Sequence, residues 1–299
     1  MLPLATLAYM VFEAQWLRLH HLRLESPGLP VALAGLRILH ISDLHAGVPW
    51  PNEKAIARLL PAALAAVPDL VLFTGDMTDN QKALEPYLEM LSRIKAPLGK
   101  YAVLGNHDHG LRKSALHEFT FGLLGRKISR DANLSDDEIA ATVARNRHLL
   151  GLADITLLNN ECVSIRARDV PLQICGIDEL TYGLADLEAT RKQVDRQKPL
   201  RILLSHSPDI ISHLDEGEFQ LVLAGHTHGG QICIPHPWRG RVLLSSSGSE
   251  FADGLYRRPG VTMHVSRGVG TTLVPLRLLS RPEITLLELQ PGQGGKPPA

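Results

Sequence analysis

The sequence predicts an α/β fold in which two mixed β-sheets stack face to face with helices outside, a four-layer αββα sandwich. Three observations carry this expectation. From residue 36 onward, short apolar runs alternate with helical patterns, the rhythm of βαβ units. Later runs are closely spaced, which argues for antiparallel pairing in a second sheet facing the first. Five of the runs stop at residues that bind divalent metals. Leu36–Ser42 ends at Asp43 and His45, Leu70–Gly75 at Asp76, and Tyr101–Gly105 at Asn106 and His107; Arg201–Ser205 ends at His206, and Phe219–Gly225 at His226 and His228. Open α/β sheets hold their sites just past the carboxyl ends of strands, so a metal site at those ends is expected.

Along the chain, residues 1–35 read as an apolar N-terminal helix and a lead-in. The stretch MLPLATLAYMVF is apolar, but Glu13 follows, and it is shorter than the ~20 residues a spanning helix needs. It also lacks the basic start and small-residue cleavage site of a secretory signal. Leu2–Leu19 has two readings, an amphipathic helix packed on the domain or one lying on a membrane surface. Arg18, His20, His21 and Arg23 would suit lipid headgroups.

The main domain is expected over 36–290. Glu53–Val67 and Gln81–Ile94 read as helices, the first broken or bent at Pro61. Strands are expected at Leu70–Thr74 and Tyr101–Leu104. Between His109 and Gly151 lie Arg112, Lys113, Arg126, Lys127 and Arg130, then Asp136, Asp137 and Glu138, and this part is expected to be the least regular. Further strands are expected at Thr156–Leu158, Val163–Arg166, Leu172–Gly176, Ile202–Ser205, Leu221–Ala224, Val242–Ser245, Thr262–Val265 and Ile284–Leu289. The Gly- and Pro-rich tail, 291–299, reads as disordered.

Composition narrows the function classes. With 299 residues and 44% of them hydrophobic, the chain can bury a sizeable core. Thirty-one basic against 31 acidic residues and 5% aromatics give poor support to a nucleic-acid groove. Cys162, Cys175 and Cys233 form no C-x-x-C pair, and an odd count argues against a disulfide framework, so free, mostly buried thiols are expected. The expected location is the cytoplasm, peripheral on the inner face of the membrane where Leu2–Leu19 docks on lipid.

Carboxylates, an amide oxygen and imidazoles suit Mn²⁺, Fe or Zn²⁺, and the absence of thiolate ligands argues against a Cys-rich structural zinc site. Two metals ~3.5–4 Å apart can share one carboxylate and one hydroxide that attacks phosphorus. Asp76, central in the series, is the natural bridge. Seven ligand-type residues at strand ends have no cheaper explanation as core polar groups. Asp79 and Asp108 also read as turn caps. His109 reads as solvent-exposed or as a substrate contact, and His40 as a core histidine. Gly229 and Gly230 suit a tight turn at the metal. Arg267 is a candidate phosphate contact, while Arg257 and Arg258 read as surface residues.

Asp43-x-His45, Gly75-Asp76-x-x-Asp79, Gly105-Asn106-His107-Asp108, His206 and Gly225-His226-x-His228 resemble, in order, the motifs of the calcineurin-like metallophosphoesterases. The resemblance narrows to the bacterial YkuE- and YaeI-like branch, which includes envelope-lipid UDP-diacylglucosamine pyrophosphatases. It rests on the run from Leu36 to His45, on Gly225-His-Thr-His-Gly-Gly-Gln231, and on Ser266-Arg-Gly-Val-Gly270. It implies one metal on Asp43, His45, Asp76 and His228, and another on Asp76, Asn106, His206 and His226. It also implies a non-ligand His107 that faces the substrate and protonates the leaving oxygen, with Asp108 orienting His107 and Asp79 orienting a ligand.

The activity implied is hydrolysis of a phosphodiester or pyrophosphate bond by a metal-bridging hydroxide, with two divalent ions, Mn²⁺ first and Fe or Zn²⁺ as alternatives. The substrate suggested is a nucleotide-linked envelope lipid such as UDP-2,3-diacylglucosamine. The alternatives are a broad-specificity phosphodiesterase of soluble nucleotides and an inactive scaffold of the same fold, which should lack a ligand; this chain lacks none.

Overall fold

A computed structural model describes residues 2–26, 28–48, 50–111, 134–236, 240–243, 249–272 and 274–292. The first sheet holds β1 (Arg18–Ser26), β2 (Arg37–Ile41), β3 (Leu70–Thr74), β4 (Lys100–Val103), β5 (Ile155–Leu157) and β14 (Glu283–Pro291), in the order β1-β14-β2-β3-β4-β5. The second holds β6 (Glu161–Ala167), β7 (Val170–Gly176), β8 (Leu200–Leu204), β9 (Leu221–Ala224), β12 (Gly254–Arg258) and β13 (Val261–Val265), in the order β12-β13-β9-β8-β7-β6. β10 (Cys233–His236) and β11 (Gly240–Leu243) form a separate hairpin.

Alternation along buried strands produces the layers. Ile38, Leu70 and Leu72 face Leu172, Ile174, Ile202, Leu204 and Leu223 in a core between the sheets. Their neighbours Leu39, Ile41, Val71 and Phe73 face α2 (Asn52–Ala57), α3 (Leu59–Ala66) and α4 (Gln81–Ser92) through Ile56, Leu59, Leu84, Leu88 and Leu91. On the far side Leu203, Val222 and Met263 pack on Ile210 and Ile211 of a short 3₁₀ segment, Pro208–His213. Both faces of each sheet are therefore covered, which is why the strands read as continuous apolar runs rather than alternating ones.

Several expectations change. The second sheet is not antiparallel at its centre: β7, β8, β9 and β13 are parallel, and only the edge pairs β6/β7 and β12/β13 are antiparallel. Parallel neighbours need a crossover. α6 (Leu187–Gln193) and the Pro208–His213 segment supply two of them. Nor are residues 1–35 a lead-in outside the domain. α1 (Leu2–Gln15) is helical, but Arg18–Ser26 pairs in parallel with the whole of β14, from Arg18↔Glu283 to Ser26↔Pro291.

The helix expected over Glu53–Val67 breaks at Arg58, three residues before Pro61, which sits in the first turn of α3 where no N–H is required. Part of the stretch expected to be irregular is α5 (Asp136–Gly151), started by a capping box in which Ser135 and Glu138 satisfy each other's backbone N–H. Arg112, Lys113, Arg126, Lys127 and Arg130 lie outside the described residues, as does all of the tail beyond 292.

The cysteine expectation is also corrected. Cys162 and Cys175 face each other in the β6/β7 ladder with Cα atoms 4.0 Å apart and form a disulfide, while Cys233 is a buried free thiol. Strand register, not cysteine count, decides the pairing. Disulfides persist in oxidising compartments, so cysteine usage gives no support to a cytoplasmic location.

His40, a core histidine as expected, lies with Nδ1 2.9 Å from Nδ1 of His264 and Nε2 2.8 Å from Thr74 Oγ1. Burial drives the pKa of His264 down to about 4 and that of His40 well below its usual value. Both are neutral when folded and titrate near ~6.5 when unfolded. Their contribution to stability is therefore complete above about pH 6.5 and is lost as pH falls toward the folded values. For His264 this amounts to roughly 3 kcal/mol by about pH 4. Denaturant melts of wild type and His264→Asn in chelator between pH 7.5 and 4.5 should show the smaller acid loss in the variant.

Candidate dinuclear metal centre

The carboxyl ends of β2, β3 and β4 in one sheet meet those of β8 and β9 in the other, and the ligand-type residues occupy the turns that follow. Asp43, His45, Asp76, His226 and His228 all have φ between +46° and +71°, a region that costs a non-glycine residue about 1–3 kcal/mol. Neighbouring turns hold them there. Asp43 N–H donates to Gly75 O, His45 N–H to Asp76 O, and Gly225 N–H to His206 O, each at 3.0 Å. Two glycines are required by close approach. A Cβ on Gly105 would lie 2.2 Å from Asp76 Oδ1, and one on Gly225 would lie 2.0 Å from Ser42 Oγ and 2.4 Å from Asp43 Oδ2.

Three groups of donor atoms converge: Asp43, His45 and His228; His45, Asp76 and His107; and Asp76, His206 and His226. One oxygen links them. Asp76 Oδ2 is 3.6 Å from His45 Nε2 and 3.2 Å from His206 Nε2. On either side His45 Nε2 lies 3.1 Å from His228 Nε2, and His226 Nδ1 3.1 Å from His206 Nε2. His228 Nε2 is 3.5 Å from Asp43 Oδ1.

The electrostatics call for cations. Burial pushes the Asp43 carboxyl up, with Asp76 adding to the shift. Burial alone would lower His206, but Asp76, Asp43 and the Thr74 carbonyl outweigh it and raise its pKa to about 10. Asp76 is held well below its usual value because His206, His107 and His45 outweigh its burial. A proton on His206 thus neutralises what a metal ion would.

The donors fit such an ion. Asn106 Nδ2 donates to Leu111 O at 3.0 Å, while its buried Oδ1 has no hydrogen-bond partner among the described residues. His206 Nδ1 lies 2.7 Å from Thr74 O and His45 Nδ1 3.2 Å from Asp79 Oδ2. Each contact consumes the Nδ1 proton and leaves Nε2 as a lone-pair donor pointing inward.

The residues placed around this core differ in part from expectation. His107 N–H donates to Asp76 Oδ1 at 2.9 Å, and its Nδ1 contacts Asp79 Oδ1. Asp79, rather than Asp108, therefore orients His107, and it orients His45 as well. Asp108 accepts Gly105 N–H at 2.9 Å and Thr78 N–H at 3.1 Å; burial, and next Asp76, raise its pKa to about 6. It clamps the turn from within. His109 is not solvent-exposed: its buried Nε2 lies 2.7 Å from Asp178 Oδ1. Arg267 donates from Nε to Asp253 Oδ2 at 2.5 Å, and its stem covers Gly229.

Beside His107 opens a cavity of about 450 Å³ lined also by Asp79, Asn80, His109, Thr142 and Arg145. Arg145, on α5, has one hydrogen bond among the described residues, to Thr142 Oγ1 at 3.3 Å. Nothing in the sequence around it singles it out. Arg277, also not anticipated, is fully buried behind His228.

A match to the family described as "Calcineurin-like phosphoesterase" spans residues 36–230, from the first strand of the site to the turn after His228. The chain belongs to the calcineurin-like phosphoesterases. Family members use divalent metals to hydrolyse phosphoester or phosphoanhydride bonds, and the clusters here are of the kind that holds such ions. Among its relatives, the metallophosphoesterase YkuE of Bacillus subtilis is 30% identical, covering 89% of this chain and 83% of that one. A metallophosphoesterase of Aquifex aeolicus is 32% identical over 96% and 97%. The UDP-2,3-diacylglucosamine pyrophosphatase LpxG of Chlamydia trachomatis is 30% identical over 92% and 90%. Likeness to all three covers more of the chain than residues 36–230.

Proposed function

We propose that this phosphoesterase cleaves a pyrophosphate or phosphodiester bond in a nucleotide-linked envelope lipid of the UDP-2,3-diacylglucosamine kind. The observation that carries the reading is the convergence of two donor groups on Asp76, with His107 beside them. Asp43, His45, Asp76 and His228 would hold one divalent ion, and Asp76, Asn106, His206 and His226 the other, Mn²⁺ being the first assignment. When bound, the two ions supply Lewis-acid polarisation of the phosphate and a water nucleophile at neutral pH. His107, its Nδ1 held by Asp79, presents Nε2 to the leaving oxygen as the proton donor. His109 and Arg267 serve as flanking substrate contacts.

Similarity to LpxG over nine-tenths of both chains supports a lipid-linked diphosphate. So does α1. Residues 4–9 are all exposed, with Leu4 at 74% and Phe12 at 52%, an apolar surface that a membrane would cover. Among the described residues no helix is long and apolar enough to cross a membrane, so the contact proposed is peripheral. Mass spectrometry of UDP-2,3-diacylglucosamine incubated with Mn²⁺-loaded protein tests the reading. Released UMP is expected; turnover of soluble nucleotides alone would favour the broad-specificity alternative.

Arg145 supports a diphosphate substrate in particular, since it lines the cavity beside His107. Charge-assisted bonds to a second phosphate are worth about 1.5–3 kcal/mol. Arg145→Gln should therefore lower kcat/KM on the diphosphate roughly 10- to 100-fold. Its effect on bis-p-nitrophenyl phosphate, which has a single phosphate, should be several times smaller.

A further inference from the structure

The N-terminal helix reaches the metal centre through a buried chain of hydrogen bonds. Glu13, at 2% exposure near the end of α1, accepts Ser280 N–H through Oε1 at 2.8 Å and Leu279 N–H through Oε2 at 3.1 Å. One turn earlier Met10 O accepts Arg277 N–H at 3.2 Å. From this turn two groups reach inward. Ser280 Oγ donates to His228 O at 2.6 Å. Arg277, the largest fully buried side chain among the described residues, lies with Nη2 3.3 Å from His228 Nδ1.

The guanidinium also organises the loop that backs Asp43. Nη1 donates to Ser280 O at 2.8 Å, and Nη2 donates to Arg267 O at 2.8 Å and to Gly270 O. With its carbonyls held, the loop turns its N–H groups the other way: Val269 N–H donates to Ser42 O at 3.0 Å and Gly270 N–H to Asp43 O at 2.7 Å. Gly268 lies so close that a Cβ there would be 2.6 Å from Asp43 Cβ. Burying a guanidinium is costly, and an apolar side chain would fill the space with less penalty. Only a rigid multi-donor fork can satisfy several converging carbonyls.

We propose that Glu13, Arg277 and Ser280 form a positioning unit for the Asp43 and His228 half of the metal centre, so that seating of α1 and metal occupancy there are coupled. The inference rests on the dinuclear reading above. Coupling is reciprocal, so metal at that half also steadies α1. Among the described residues Glu13, Arg277 and Ser280 make no hydrogen bond to Asp76, His206 or His226, so the larger effect falls on the Asp43 and His228 half; the link to the other half runs through Asp43, whose carboxylate accepts His226 N–H at 3.1 Å.

Chelator-treated full-length protein titrated with Mn²⁺ alone tests this. Wild type should take up two ions and give the electron paramagnetic signal of a coupled pair. Glu13→Gln and Arg277→Met should hold one ion and bind the second at least tenfold more weakly, with the six-line signal of an isolated ion. Mn²⁺ should slow hydrogen exchange over residues 4–12 in wild type and not in Glu13→Gln, whose smaller change keeps the test valid if Arg277→Met fails to fold. Two equally tight ions in a folded Glu13→Gln, or weakening of both ions together, would overturn the coupling and leave the dinuclear reading standing. Fewer than two ions in wild type would bring down the dinuclear reading and the coupling with it.

Discussion

Asp76→Asn should lower kcat/KM by more than about 10³-fold, beyond the 10–100-fold that losing a partner one bond removed from a metal usually costs. Its Oδ2 faces both His45 and His206, so this residue joins the two halves of the site. The substitution is well isolated. An asparagine keeps the volume, and its Oδ1 can still accept His107 N–H, so the turn after β4 keeps its shape. What is lost is a buried negative charge. Metal analysis should show fewer than two ions per chain, and chelated protein should melt lower than wild type, because His206 loses the carboxylate it pairs with when no metal is bound. Full activity with two bound ions would refute the bridging role.

His107→Ala has the second largest expected effect, a fall in kcat of about 10²–10³-fold, within the roughly 10²–10⁴-fold that a positioned general acid supplies. The size should depend on the leaving group. p-Nitrophenolate departs with little help, whereas a nucleotide or sugar phosphate needs its oxygen protonated or its charge stabilised. The loss on bis-p-nitrophenyl phosphate should therefore be at least several times smaller than on the diphosphate lipid. Asp79→Asn should produce a weaker version, because its carboxylate contacts His107 Nδ1 and also His45 Nδ1. Metal content in His107→Ala should match wild type; equal losses on both substrates would argue that His107 merely shapes the site.

Much of this was legible along the chain. The runs ending in Asp43, Asp76, Asn106, His206 and His226 are strands, and each turn follows its strand as the apolar pattern implies. Local patterns carry that information because strand ends and turn residues are set by near neighbours. Other features escaped. Of Arg18–Ser26 only the first two residues fall in the helix expected over Leu2–Leu19 and the rest reads as lead-in; the strand there depends on pairing with β14, more than 260 residues away. The capping box at Ser135 was local and readable, but the charge of Asp136, Asp137 and Glu138 made a loop look natural.

Within the site the division is similar. Residue types and order named the reaction class, but not which carboxylate touches His107. Asp79 and Asp108 both lie in motif turns, and only the packing of the β3 and β4 turns sends Asp79 to the histidines and Asp108 to backbone N–H groups. The disulfide follows the same rule, since a two-residue hairpin fixed the register that brings Cys162 and Cys175 together.

By itself, then, the sequence determined the layered architecture and the family, because continuous apolar runs and the turn residues that end them are written in adjacent positions. Tertiary structure alone decided how Arg18–Ser26 joins the sheet and what backs His228. Those depend on contacts between segments distant in the chain, such as Glu13 with Ser280 and Arg277 with Met10 and His228, and no local pattern encodes the distance between them.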